Sequence, residues 1–280
     1  MQDLAARLHA VCDAQPFNTS WYVKDLATGW EADRGGELVL PSASTRKTSI
    51  LMHALSKVHE GKLSLTDPCT VEARLQEGVK SGTYQYMTPG VVIPFRDALV
   101  NMIITSDNVC TQLTLERLDR DALNAWCQRI GMVGTTHRVN FPAPDLPWDV
   151  AVTELASTTA RDQGLLLDRM VAGTNDGEAA AFLGATPELC SLALDILSWQ
   201  RFRNLIPCLL PDGAKVANKT GKGQRGRMDA GVVYKNDAPR FIITVYTDQV
   251  PVTLPDGLPG YTAAFATAGR LTRLCWDTMN

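Results

Sequence analysis

Three short runs of this sequence carry residue types that can do chemistry: Ser44-Thr45-Arg46-Lys47, Ser106-Asp107-Asn108 and Lys219-Thr220-Gly221. A serine hydroxyl at its ordinary pKa is a poor nucleophile and needs a base. On a helix, positions i and i+3 share a face, which brings Lys47 within reach of Ser44 Oγ. A desolvated lysine loses proton affinity and can accept a proton near neutral pH. A serine that opens a helix also lies among free N–H groups, which favour a developing oxyanion. Alone, the spacing is weak. Ser-x-x-Lys arises about once by chance in a chain of this size, and a capping serine followed by a solvated lysine has the same letters.

The other two runs have the same double reading. The Ser106 hydroxyl can relay a proton to a leaving nitrogen, and the Asn108 amide can both donate to and accept from a substrate amide. Asp107 is expected to organise the turn. A plain helix stop and restart also favours Ser, Asp and Asn. Lys219 supplies positive charge, Thr220 a hydroxyl for a carboxylate, and Gly221 room for close approach to a strand edge. A strand ending in a surface lysine would look alike.

Taken together, the order and spacing of the three runs resemble the penicillin-recognising serine hydrolases, the class A β-lactamase branch in particular. The resemblance covers nearly the whole chain. It extends to Ser81-Gly82-Thr83, Pro89-Gly90, Arg96-Asp97-Ala98-Leu99, Thr158-Thr159-Ala160-Arg161-Asp162 and Leu209-Leu210-Pro211-Asp212-Gly213. It implies that Ser44 is the acylated nucleophile, Lys47 its base, and Ser106 the donor to the departing amide nitrogen. Lys219 would tune the field and support Ser106. Asn108 would hold the acylamide side chain, Thr220 the substrate carboxylate, and Gly221 would line the approach. The N–H groups of Ser44 and Lys222 would form the oxyanion hole. The implied substrate is a small amide, β-lactam or ester, with no metal and no organic cofactor.

One departure bears on turnover. The resemblance implies a loop glutamate followed by Leu-Asn that activates water for deacylation, but no Glu-x-x-Leu-Asn lies between His137 and Leu155. Asp145, Asp149 and Glu154 are the candidate replacements. A D,D-peptidase, amidase, esterase or acyltransferase on the same scaffold therefore stands as an alternative. So does a sensor that acylates once without turnover.

The elements that must position these residues follow from periodicity. Helices are expected over residues 3–14, from Ser44 to the stop at Gly61, and over 95–105, 109–118, 121–130, 158–171, 188–201 and 261–278. Strands are expected over 19–26, 30–34, 215–220, 230–234 and 241–247, with an irregular, proline-rich loop from His137 to Trp148. The fold class is α+β: an antiparallel sheet flanked by helices (residues 1–55 and 198–280) beside an all-helical lobe (residues 56–197), forming one integrated catalytic domain.

Bulk composition excludes other classes. Of 280 residues 45% are hydrophobic and 20% charged, and the formal net charge is -3, which gives no reason to expect nucleic acid. No apolar run reaches the ~18 residues of a membrane span. The seven cysteines are scattered without a Cys-x-x-Cys pair, and the four histidines lack ligand spacing, so a metal site and a disulfide framework are both disfavoured. The cysteines read as core residues. No leader is visible at Met1, so the chain reads as cytoplasmic as numbered, or periplasmic or secreted if a leader was removed. The oligomeric state is left open.

Overall fold

A computed structural model describes residues 1–138 and 146–279. In chain order the first elements are α1 (Gln2–Asp13), β1 (Asn18–Asp25), β2 (Glu31–Arg34), β3 (Leu40–Pro41), α2 (Lys47–His59) and β4 (Pro68–Thr70). Next come α3 (Ala73–Gln76), β5 (Val92–Pro94), α4 (Phe95–Ile104), α5 (Asn108–Leu115), α6 (Arg120–Arg129), β6 (Ser157–Thr158) and α7 (Ala160–Gly173). The last are α8 (Gly177–Phe182), α9 (Pro187–Ser198), β7 (Val216–Lys222), β8 (Arg227–Lys235), β9 (Ala238–Asp248) and α10 (Gly260–Thr278).

Five strands form one antiparallel sheet in the order β2-β1-β9-β8-β7. Successive side chains of a strand point to opposite faces, and both faces of this sheet are covered. Trp21, Val23, Ile243, Val245 and Val233 pack with Leu4 and Leu8 of α1 and Leu271 and Cys275 of α10. Ala217, Ala230, Val232 and Ile242 instead join the core of the helices, with Leu51, Leu55, Met102, Leu166 and Leu197. Burial on two sides explains the near-continuous apolar runs of β8 and β9. The helical region therefore rests directly on the face of the sheet that carries Lys219.

The main elements agree with the periodicity to within a few residues. Two-stranded pairings β3–β6 and β4–β5 are additional. So are α3 and α8, too short for periodicity to signal. The segment at Ser44 also differs from the expectation of a helix starting there. Ala43–Arg46 is a 3-10 turn, and the α-helix begins at Lys47. All seven cysteines are free; six are buried and Cys208 is half-buried. Among the described residues, no helix is long and apolar enough to cross a membrane.

Candidate active site

Ser44 sits in the 3-10 turn that leads into α2, half-buried, with the preceding Ala43 at φ 43°. A positive φ is costly for alanine and persists only where surroundings hold it. Here the turn is held from both sides. Thr45 Oγ1 donates to the Ser42 carbonyl at 2.6 Å and accepts from the Tyr246 hydroxyl of β9 at 2.7 Å. The sheet thus fixes the turn that presents Ser44.

Lys47, one turn on, is almost fully buried. Its Nζ donates to the Ser106 carbonyl at 2.8 Å and to Asn108 Oδ1 at 2.8 Å, and lies 3.1 Å from Ser106 Oγ. Two of these partners can only accept; the serine hydroxyl can do either. A neutral amine has two hydrogens and one lone pair. With its hydrogens on the two obligate acceptors, a neutral amine would turn its lone pair toward Ser106 Oγ. Burial pushes the Lys47 pKa well below its ordinary value, and the positive charges of Lys219 and Arg46 push it the same way. Among the described residues, no hydrogen bond joins Lys47 to Ser44 Oγ; the two meet as walls of one cavity.

Ser106 links α4 to α5 and takes φ 54°. Asp107 caps α5 as the sequence suggests: Oδ1 accepts from Cys110 N at 2.9 Å. Its other oxygen accepts from Tyr84 N at 2.8 Å, which draws the 81–84 loop against the site. Gly82 has to be glycine there, because a Cβ would stand 2.1 Å from Asp107 Oδ2 and 2.3 Å from Asp107 Cα. Ser81 Oγ donates to the Ser106 carbonyl at 3.0 Å, so that carbonyl is held by Ser81 and Lys47 together.

Lys219 is fully buried on β7, which packs against the Ser44 turn. Its Nζ donates to the Thr220 carbonyl at 2.8 Å rather than to Ser106. Burial lowers its pKa to about 7, against the opposing pull of Asp229. Asp229, buried on β8, is pushed up to about 6, again by burial first. Opposite charges would move both groups the other way, so loss of hydration outweighs their attraction at both sites. Asn218 Nδ2 reaches both Asp229 oxygens at 3.0 Å, and Ile206 N donates to it at 3.1 Å. Gly221 makes room for neighbours: a Cβ would stand 2.6 Å from Met228 Cγ and 3.3 Å from Ala43 Cβ.

A cavity of about 340 Å³ lies over these groups. Ser44, Lys47, Asn108 and Lys222 line it, with Glu77, Lys80 and Gln112 on the helical side and Leu146, Val150 and Leu155 on another wall. Ser106, Lys219, Thr220 and Gly221 are not among its lining residues. Ser106 connects to it through Lys47, and Lys219 through the strand. The structure thus gathers the three sequence runs. It does not bring the described acidic candidates to them: Asp149 and Glu154 are exposed and outside the cavity wall. Asp145 lies outside the described residues. Glu77 and Gln112, which also line the cavity, carry no motif in the sequence, and Arg46 stands inside the first run without an expected role. Among the described residues, no cluster of ligating side chains could hold a metal.

Comparison with known proteins bears on the fold and the family. The model of the beta-lactamase enzyme family matches residues 3–279. A β-lactamase from Sphaerobacter thermophilus DSM 20745 superposes with a TM-score of 0.82 at 22% identity, covering 99% of this chain and 97% of the other. A β-lactamase from Chitinophaga pinensis DSM 2588 gives 0.86 at 18% identity, covering 99% and 100%. PBP-A gives 0.81 at 26% identity, covering 99% and 96%. A leucine-to-glutamate variant of PBP-A has been solved as an acyl-enzyme complex with penicillin G. No curated protein sequence matches the chain. With residues 3–279 matched by the family model, the chain belongs to the beta-lactamase enzyme family.

Proposed function

We propose that the chain is a serine hydrolase that acylates Ser44 with a β-lactam or a related amide or ester, and then hydrolyses the acyl-enzyme. The observation that carries this reading is the hydrogen bonding of Lys47. One buried amine touches Ser106 Oγ and Asn108 Oδ1 and shares a cavity wall with Ser44. Burial keeps that amine low in proton affinity, which suits a base acting near neutral pH.

In the proposed sequence the Lys47 lone pair turns from Ser106 to Ser44 and takes the Ser44 proton as Oγ attacks the carbonyl carbon. The N–H groups of Ser44 and Lys222 stabilise the oxyanion. Lys47, now an ammonium, donates to Ser106 Oγ, and Ser106 passes its own proton to the departing nitrogen. The C–N bond breaks, leaving acyl-Ser44 and neutral Lys47. Asn108 holds the acyl side chain, while Thr220 and the charge of Lys219 hold a substrate carboxylate. Water then cleaves the ester.

A second reading, a penicillin-binding acyl-enzyme of long lifetime, is favoured by the exposure of Asp149 and Glu154 outside the cavity. Intact-mass spectrometry after mixing with benzylpenicillin tests both. Acylation adds the mass of the intact penicillin, and a peptide digest is expected to place it on Ser44. Rapid loss of the adduct supports the hydrolase and persistence supports the second reading. An adduct that survives Ser44→Ala overturns the nucleophile assignment.

A further inference from the structure

We propose that Gln200 is a positioning residue of the acylation site, its side-chain amide tying the segment that carries Ser106 to the strand that carries Lys219. The inference rests on the acyl-transfer reading above. Gln200 follows α9 and is only 4% exposed. Its Nε2 donates to the Ile103 carbonyl at 3.0 Å and to the Asn218 carbonyl at 3.3 Å. Its Oε1 accepts from Phe202 N at 3.1 Å. The partners fix the amide orientation, since turning it over would set oxygen against two carbonyls and nitrogen against an N–H.

Each carbonyl is next to chemistry. The Ile103 carbonyl also accepts from Ser106 N at 3.3 Å, inside the turn that gives Ser106 its positive φ. The Asn218 carbonyl belongs to the peptide bond that enters Lys219. One side-chain amide therefore sets the distance between a turn of the helical region and a strand of the sheet. The neighbouring Arg201 N–H adds a bond to the Ile104 carbonyl at 3.1 Å, so the tie covers both residues at the end of α4. Gln200 is buried and does not line the cavity, so its action runs through the placement of Ser106 and Lys219. A shift of about 1 Å in a catalytic group can cost on the order of 100-fold in rate.

The test uses Gln200→Met, which keeps length and bulk but has no donor, and Gln200→Asn, which keeps the amide on a shorter arm. Stopped-flow acylation by nitrocefin and benzylpenicillin, followed across pH, is the readout. Trp126→Phe is the control: it deletes a comparable buried bond, Nε1 to the Leu183 carbonyl at 3.0 Å, inside the helical region. The expected result is a fall of at least tenfold in the limiting acylation rate of Gln200→Met, with half-saturation little changed and the pH profile displaced. Trp126→Phe is expected to lose stability and keep both rate and profile. Should Gln200→Met fail to fold, Gln200→Asn is read by the same criteria. A parent-like rate and profile in the folded variant overturns the role of Gln200. So does an equal loss in Trp126→Phe, which would mark the effect as general softening. A parent chain that never acquires a Ser44 adduct overturns the reading of the site itself.

Discussion

Lys219 and Lys47 are two buried amines close enough for the charge of one to depress the proton affinity of the other. Burial is the larger cause at Lys47, and the Lys219 charge adds to it. The two lysines differ in partners. Lys47 has three oxygens around it, whereas Lys219 has the Thr220 carbonyl. This asymmetry suits a proton carrier beside a source of field, and it leads to a prediction about pH.

Acylation by an uncharged ester needs neutral Lys47, so its kcat/KM should rise with pH through the depressed Lys47 pKa and then level. A carboxylate-bearing substrate also needs the Lys219 charge. That charge is present below about 7 and lost above it. The kcat/KM for benzylpenicillin should therefore fall again on the alkaline side, giving a bell where the ester gives a plateau. Profiles of the same shape for both substrates would remove Lys219 from carboxylate binding.

Lys47→Ala tests the base directly. Acylation should drop by at least ~1,000-fold, in line with the loss of a general base and a disrupted proton path. The structure adds a second consequence that the motif alone does not carry. Lys47 donates to the Ser106 carbonyl and Asn108 Oδ1, so its removal leaves that carbonyl with Ser81 alone and the half-buried Asn108 Oδ1 short of a donor, at about 1–3 kcal/mol. A buried amine is lost at the same time, which offsets part of that cost. Circular dichroism should show an unchanged fold, and denaturant melts a modest change in stability. A parent-like adduct rate by mass spectrometry would end the base assignment.

Asp149→Asn and Glu154→Gln should leave the lifetime of the benzylpenicillin adduct within about twofold of the parent, since a general base must be within hydrogen-bond reach of its water. Both side chains are exposed and neither lines the cavity. A lifetime extended tenfold or more in either variant would show that this carboxylate reaches the ester after all. Asp145→Asn belongs in the same series, as the one candidate outside the described residues.

What the sequence revealed and what it concealed divide along physical lines. The runs holding Ser44, Lys47, Ser106, Asn108 and Lys219 stand out in the sequence because they set particular functional groups at fixed local spacings, and the structure brings these runs side by side. The long helices and the strands β7 to β9 were legible because burial imposes a period. The 3-10 form of the Ser44 turn was not, since it depends on Tyr246, far away in sequence, gripping Thr45. Nor was the Lys219 bond to Thr220 rather than Ser106, which is settled by tertiary packing at the level of an ångström. Gln200 was silent for a related reason. A glutamine after an apolar helix looks like an ordinary surface residue, and only the approach of Ile103 and Asn218 makes it a clamp.

Lys219 also bears on the stability that the site gives up. It is fully buried, and among the described residues its nitrogen has one hydrogen bond, to Thr220. A charge held that way opposes folding, so Lys219→Met should stabilise the chain by ~1–3 kcal/mol while reducing activity. The sign of its pH dependence follows from the lowered pKa. Below about 7 the lysine is protonated in folded and unfolded chains alike, and the folded state bears the full cost. Between about 7 and the ordinary 10.5, the folded chain sheds the proton and the unfolded chain keeps it, so parental stability from this group rises with pH. A methionine side chain cannot titrate, so the advantage of the variant should be largest at about pH 6 and shrink toward about pH 10. Urea melts of both proteins at intervals across that range measure the difference directly. An advantage that stays flat or grows with pH would mean that Lys219 is not carrying a destabilising charge in the folded state.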